Sequence, residues 1–168
     1  WLVTLAHGEV GGSVLKGFTI VWGVWDFGAG IRCEDSSPTI IDCIISNNQT
    51  SYDGAGIDCL GGSPLIANCI ISDNVAFGKA AAGAGLNFQE ASATVIDCTI
   101  RNNSSVNVGG GVACYEASPT FINCLVANNS AVKGSGQFDL IDSSPSITNC
   151  TIVVDKNNAN KDGGIWAS

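Results

Sequence analysis

Few side chains in this 168-residue sequence are equipped for chemistry: eight cysteines, one histidine, and 15 acidic against seven basic residues. Arg32, Glu34 and Asp58 come nearest to an acid–base constellation. A glycosidase needs two carboxylates flanking the bond it cleaves. An Arg32–Asp58 surface ion pair is the plainer reading, contributing at most about 1 kcal/mol. His7 has no Ser or Cys partner in a defined motif, so no catalytic triad can be built on it. Eight cysteines raise the question of disulfides, but there is no CxxC and the spacings do not suit zinc. A column of Asp42, Asn68, Asp97, Asn123 and Asn149 offers oxygens suited to calcium, with the carboxylates diluted by Asn. Trp22, Trp25 and Tyr52 fall in turns or loops, where their faces can stack on sugar rings or plug an end of the molecule. No cofactor motif is present, and the reading is of a chain without cofactor or metal.

The net charge of −8 argues against nucleic acid, whose phosphates would be repelled, and against anionic membranes. No apolar run approaches the 18 residues of a membrane helix, and the stretch 1–6 is too short for a signal peptide. Methionine is absent and the chain begins at Trp1. It reads as a piece of a longer protein.

The elements that would position these residues emerge from an internal repeat. Five segments align: GAGIRCEDSSPTIIDCIISNN, GAGIDCLGGSPLIANCIISDN, GAGLNFQEASATVIDCTIRNN, GGGVACYEASPTFINCLVANN and SGQFDLIDSSPSITNCTIVVD. Cys43, Cys69, Cys98, Cys124 and Cys150, with Phe18 in an earlier degenerate turn, advance by 25, 26, 29, 26 and 26 residues. The long step marks an inserted loop around 77–82. Cys33, Cys59 and Cys114 form a second column. Ser-Pro pairs and Gly clusters recur at fixed offsets and punctuate each repeat. Apolar residues alternate with period two in runs of strand length.

The pattern predicts an all-β coil, a right-handed single-stranded parallel β-helix of about six rungs of about 26 residues. Three short strands per rung stack about 4.8 Å apart. Residues 1–12 read as the edge of a preceding rung or cap, and 13–168 as a β-helix truncated at both ends. Both cysteine columns should face the core as free thiols, because parallel side chains on stacked strands point the same way. Asn48, Asn74, Asn103 and Asn129 should point inward and bond from rung to rung. Asp155 breaks that ladder and should distort the last rung or turn to solvent. The column Arg32, Asp58, Asn87, Ala113 and Asp139 should face outward. Ile44, Ile70 and Leu125 should also face outward, beside Ile41, Ile96 and Ile122 at a corner. Together they would make an apolar stripe and a candidate partner surface.

These columns resemble right-handed parallel β-helix repeat proteins of the broad pectin-lyase-like group. GAGIRCEDSSPTIIDCIISNN in particular is similar to repeats of large bacterial secreted and surface proteins. The resemblance covers about residues 13–168. It implies a choice among polysaccharide lyases and hydrolases, adhesins, tail fibres and passive stalks, because one fold hosts many functions. A lyase of that group would need an acidic calcium cluster beside an Arg or Lys base, and Arg32, Glu34 and Asp58 are the nearest material. Regular turns and a single insertion favour a non-enzymatic structural or adhesive segment, outside the cell or on its surface. Its partners would be carbohydrate or further copies of itself. The alternatives are a carbohydrate-active enzyme and a self-assembling filament or surface-layer component.

Overall fold

The computed structural model describes residues 2–6, 12–154 and 163–168. His7 and Asp155 lie outside the described residues. The chain coils through four short strands per turn, and each strand pairs in parallel with its equivalents one turn away. One complete turn consists of Ile31–Glu34, Thr39–Ile41, Ile44–Ser46 and Gln49–Thr50. Four parallel sheets of seven, six, six and five strands result, about six turns in all. Registration follows the repeat: Ile31 pairs with Ile57, Ile40 with Ile66, Ile45 with Ile71 and Thr50 with Ala76. Val3–Ala6 and Ile165–Ala167 form the first and last strands of the seven-stranded sheet. The expected three strands per turn become four. The extra one is only two residues long and carries no alternation to betray it.

Inward positions alternate along each strand, as pleating requires. Ile31 and Cys33, then Ile40, then Cys43 and Ile45 are all buried, as are their equivalents through the middle turns. Where the repeat replaces aliphatic residues with aromatics, Phe121 meets both Phe88 and Phe138 edge-on, with centroids 6.2 and 5.1 Å away. Phe18 takes the cysteine position in the first turn and is exposed there.

Every corner turns on left-handed residues, glycines at the fourth (Gly28, Gly54, Gly83 and Gly109) and mostly Asp, Asn or Glu at the other three. At the first stand Asp35, Gly61, Glu90, Glu116 and Asp142. At the second stand Asp42, Asn68, Asp97, Asn123 and Asn149, and at the third Asn47, Asp73, Asn102 and Asn128. Short polar side chains tolerate this conformation best, because they can bond locally. The column weighed for calcium is therefore explained by backbone geometry. Its side chains also pair: Asn68 donates to Asp42 at 2.7 Å and Asn123 to Asp97 at 3.2 Å. Alternating Asp with Asn avoids like charges one rung apart. Ile41, Ile96 and Ile122, expected at a corner, instead end strands of the second sheet and are half-buried.

Just past the third corner, the four ladder asparagines are buried. Asn48 Nδ2 donates to Asn74 Oδ1 at 3.0 Å, Asn74 to Asn103 at 2.9 Å and Asn103 to Asn129 at 3.0 Å. Each amide also donates to a strand carbonyl, and each amide oxygen from Asn48 onward accepts a backbone N–H of the preceding turn. The left-handed residue is the one before each ladder Asn. Gly30, Gly56, Gly85 and Gly111 pack against these amides, where a Cβ would come within 2.8–3.0 Å of the nitrogen. In the next turn the glycine position is taken by Gln137. Its amide folds onto Asn129, accepting from Nδ2 at 2.8 Å and donating to the Asn129 carbonyl at 3.0 Å. Gln137 thus supplies the acceptor for Asn129 Nδ2 that a fifth ladder Asn would have offered.

Candidate functional site

The fourth corner, between the two-residue strands and the seven-stranded sheet, varies in length and folds over that sheet's outer face. The column Arg32, Asp58, Asn87, Ala113 and Asp139 therefore does not face solvent as expected. Asp58, Asn87, Ala113 and Asp139 are buried and Arg32 is half-buried. Parity put these side chains outside the coil correctly, but the covering turns take them out of water.

Within the column, Arg32 Nη1 donates to Asp58 Oδ2 at 2.6 Å and Asn87 Nδ2 donates to Asp58 Oδ1 at 2.9 Å. Arg32 Nε reaches Glu34 at 3.5 Å. The guanidinium lies 5.5 Å from the Phe27 ring, and Phe27 stacks on Tyr52 at 4.8 Å. This is a partly buried, hydrogen-bonded cluster rather than the surface pair anticipated. Burial lifts the Asp58 carboxyl to about 6, outweighing the opposing pull of Asn87 and Arg32. Phe27, which carried no signal of its own in the sequence, ties the cation to Tyr52.

Further along the column lies a cavity of about 340 Å³, floored by Ala113 and lined by Asn87, Asp139, Asp53, Val108 and Tyr115. A smaller one of about 180 Å³ adjoins it, bounded by Asp139, Val108, Lys133, Gly134 and Trp166. Asp139 is 1 % exposed. Its Oδ2 accepts the Ser135 N–H at 3.1 Å, and its Oδ1 has no hydrogen-bond partner. Burial raises the pKa of both Asp53 and Asp139. Among the described residues, no three His, Cys, Asp or Glu side chains converge as a metal site.

The remaining candidates are scattered. Trp22 is 70 % exposed at a left-handed bend, and Trp25 sits in a strand of the fourth sheet rather than a loop. Neither Trp22 nor Trp25 lines the cavities of the Asp139 column. Ile44, Ile70 and Leu125 are 41, 39 and 37 % exposed, with Thr99 between the last two. Seven cysteines are buried, Cys150 is half-buried, and all eight are free. The Cys43 column is bonded as thiols: Cys69 Sγ donates to the Ala67 carbonyl at 3.1 Å and Cys124 Sγ to that of Ile122 at 3.3 Å. Burial pushes Cys114 up to about 12 and Cys124 to about 11, and the Cys69 thiol together with burial raises Cys98. Such groups stay protonated and are poor nucleophiles.

A family model described as a right handed beta helix region matches residues 15–168. Neither the curated proteins nor the solved structures contain a match.

Proposed function

The chain belongs to the right-handed β-helix family, and from that premise we propose that it is a non-enzymatic structural or adhesive segment of a secreted or cell-surface repeat protein. The observation that carries this reading is the state of Arg32. It is the only candidate base in the trio. Its guanidinium is held by Asp58 at 2.6 Å, braced by Glu34 and seated on Phe27. Both Asp58 oxygens are bonded in turn. A base for proton abstraction must reach its substrate, and this one is committed to the wall of the coil. Placement outside the cell is part of the proposal and rests on the likeness of the repeats to those of secreted and surface proteins. Adhesion would use carbohydrate or a second copy of the chain as partner. The exposed Ile44, Ile70 and Leu125 side chains favour the second copy.

The test is incubation with acidic polysaccharides in the presence of calcium, following the absorbance of unsaturated sugar products. No release above background is expected. Calcium-dependent release that disappears in Arg32→Ala would establish the carbohydrate-active enzyme instead.

A further inference from the structure

One column contains the same carboxylate twice, once answered and once not. Asp58 is flanked by Arg32 one rung before and Asn87 one rung after, and both bond to it. Asp139, three rungs on, is flanked by Ala113 and Trp166. Ala113 therefore stands to Asp139 as Arg32 stands to Asp58. Ala113 and Asp139 both line the cavity of about 340 Å³. A buried carboxylate without a partner is costly, yet the surroundings keep Asp139 in place. Ser135 donates to Oδ2, and Gly134 packs so closely that a Cβ there would come within 2.3 Å of that oxygen. Oδ1 is left unbonded.

We propose that Asp139 and the cavity over Ala113 form a binding site for a guanidinium or ammonium group, which takes the place that Arg32 occupies over Asp58. The larger cavity supports this through its chemistry. It carries a second carboxylate, Asp53, and no Lys or Arg among its described lining residues. Tyr115 also lines it, and an aromatic ring can attract a cation as Phe27 does Arg32. Lys133 borders only the smaller cavity, and no ion pair joins it to Asp139 among the described residues. Hydrogen bonds from a cation to a carboxylate are about twice as strong as neutral ones, so Asp139 would dominate recognition.

Methylguanidinium chloride is titrated into the whole chain at neutral pH and low salt by calorimetry. Saturable one-to-one binding is expected. Asp139→Asn keeps the shape and removes the charge, and should weaken binding about tenfold or more, the equivalent of one charge-assisted bond. Ala113→Leu keeps the carboxylate and fills the cavity, and should do the same. It carries the test if thermal melting shows that Asp139→Asn does not fold. Asp73→Asn, a half-buried carboxylate at the third corner that lines neither cavity, should bind as the parent does. Absence of saturable binding up to about 50 mM, a range that would still reveal millimolar affinity, overturns the proposal. So does equal binding by the parent and both cavity variants, or equal weakening in Asp73→Asn. A Gly-Arg-Gly peptide distinguishes the source of the group. Tenfold tighter binding than methylguanidinium points to an arginine presented by a protein, and equal affinity to a small free cation. Either supports the site.

Discussion

At the scale of single residues, burial and bonding decide the behaviour of the polar groups. Asp58 keeps its proton more tightly when folded than when unfolded, since burial lifts it to about 6. Its contribution to stability is therefore greatest below about pH 4 and is lost as pH rises through the folded value. A carboxyl lifted from 3.8 to about 6 contributes about 3 kcal/mol at most. Urea unfolding should show stability falling between pH 4 and pH 6, and Asp58→Asn should flatten that slope. Asp53 and Asp139, also raised by burial, act in the same direction. The Asn ladder supplies a second prediction. Asn74→Ala removes the acceptor of two Asn48 groups and the donor to Ile45 and Asn103. Because these groups are buried, the loss should be about 3 kcal/mol in denaturant unfolding. A loss below about 1 kcal/mol would mean that water replaces the amide. The ladder was legible because one residue type recurs at one offset beside an apolar run. Gln137 was not, because its role arises from the side chain folding back into the preceding turn.

At the scale of elements, the corners set the shape of each turn. Asn123 is held left-handed at φ 54° with its side chain on Asp97. Asn123→Val should cost roughly 1–2 kcal/mol, and Asn123→Gly only a few tenths, because glycine meets no steric penalty there. Equal losses, measured by thermal unfolding, would move the cause from the backbone to the side chain. The cysteine columns and the Ile40 column announced their strands through period-two alternation. The strands Gln49–Thr50, Val75–Ala76, Ser104–Ser105 and Ser130–Ala131 did not. Two residues cannot display a period, and their composition has little in common. The same blindness hid the candidate site. Alternation places Asp58 and Asp139 outside the coil, and only the fold of the turns above them, which share no sequence pattern over their first residues, makes them buried.

At the scale of the whole molecule, the thiols and the outer stripe make opposite claims about access. Alkylation of the native chain should leave the seven buried cysteines unlabelled. Unfolding without reductant should then expose at least half of the eight, as mass spectrometry would count. Fewer would mean bridges. The stripe is tested by Ile44→Thr, Ile70→Thr and Leu125→Thr together. These outward positions bear little of the core, so melting should change by only a few degrees while sedimentation shows weaker self-association. Unchanged sedimentation would remove the second copy as partner and leave carbohydrate. Acidity, with a net charge of −8, opposes close approach of copies at low salt, so association should strengthen as ionic strength rises.

The step of 29 residues among steps of 25 and 26 falls entirely at the fourth corner, around Lys79 and Ala80, while the other three corners keep the same number of residues between their strands from turn to turn. The cross-section of the coil is thereby insulated from changes in chain length at that one seam. Extending a loop costs only about 0.6 kcal/mol per doubling. A foreign peptide grafted between Lys79 and Ala80 would be carried on the flank of the coil without disturbing the stacking beneath. The same seam on successive turns would let several such peptides be displayed in a row at a spacing of about 4.8 Å, set by the strands.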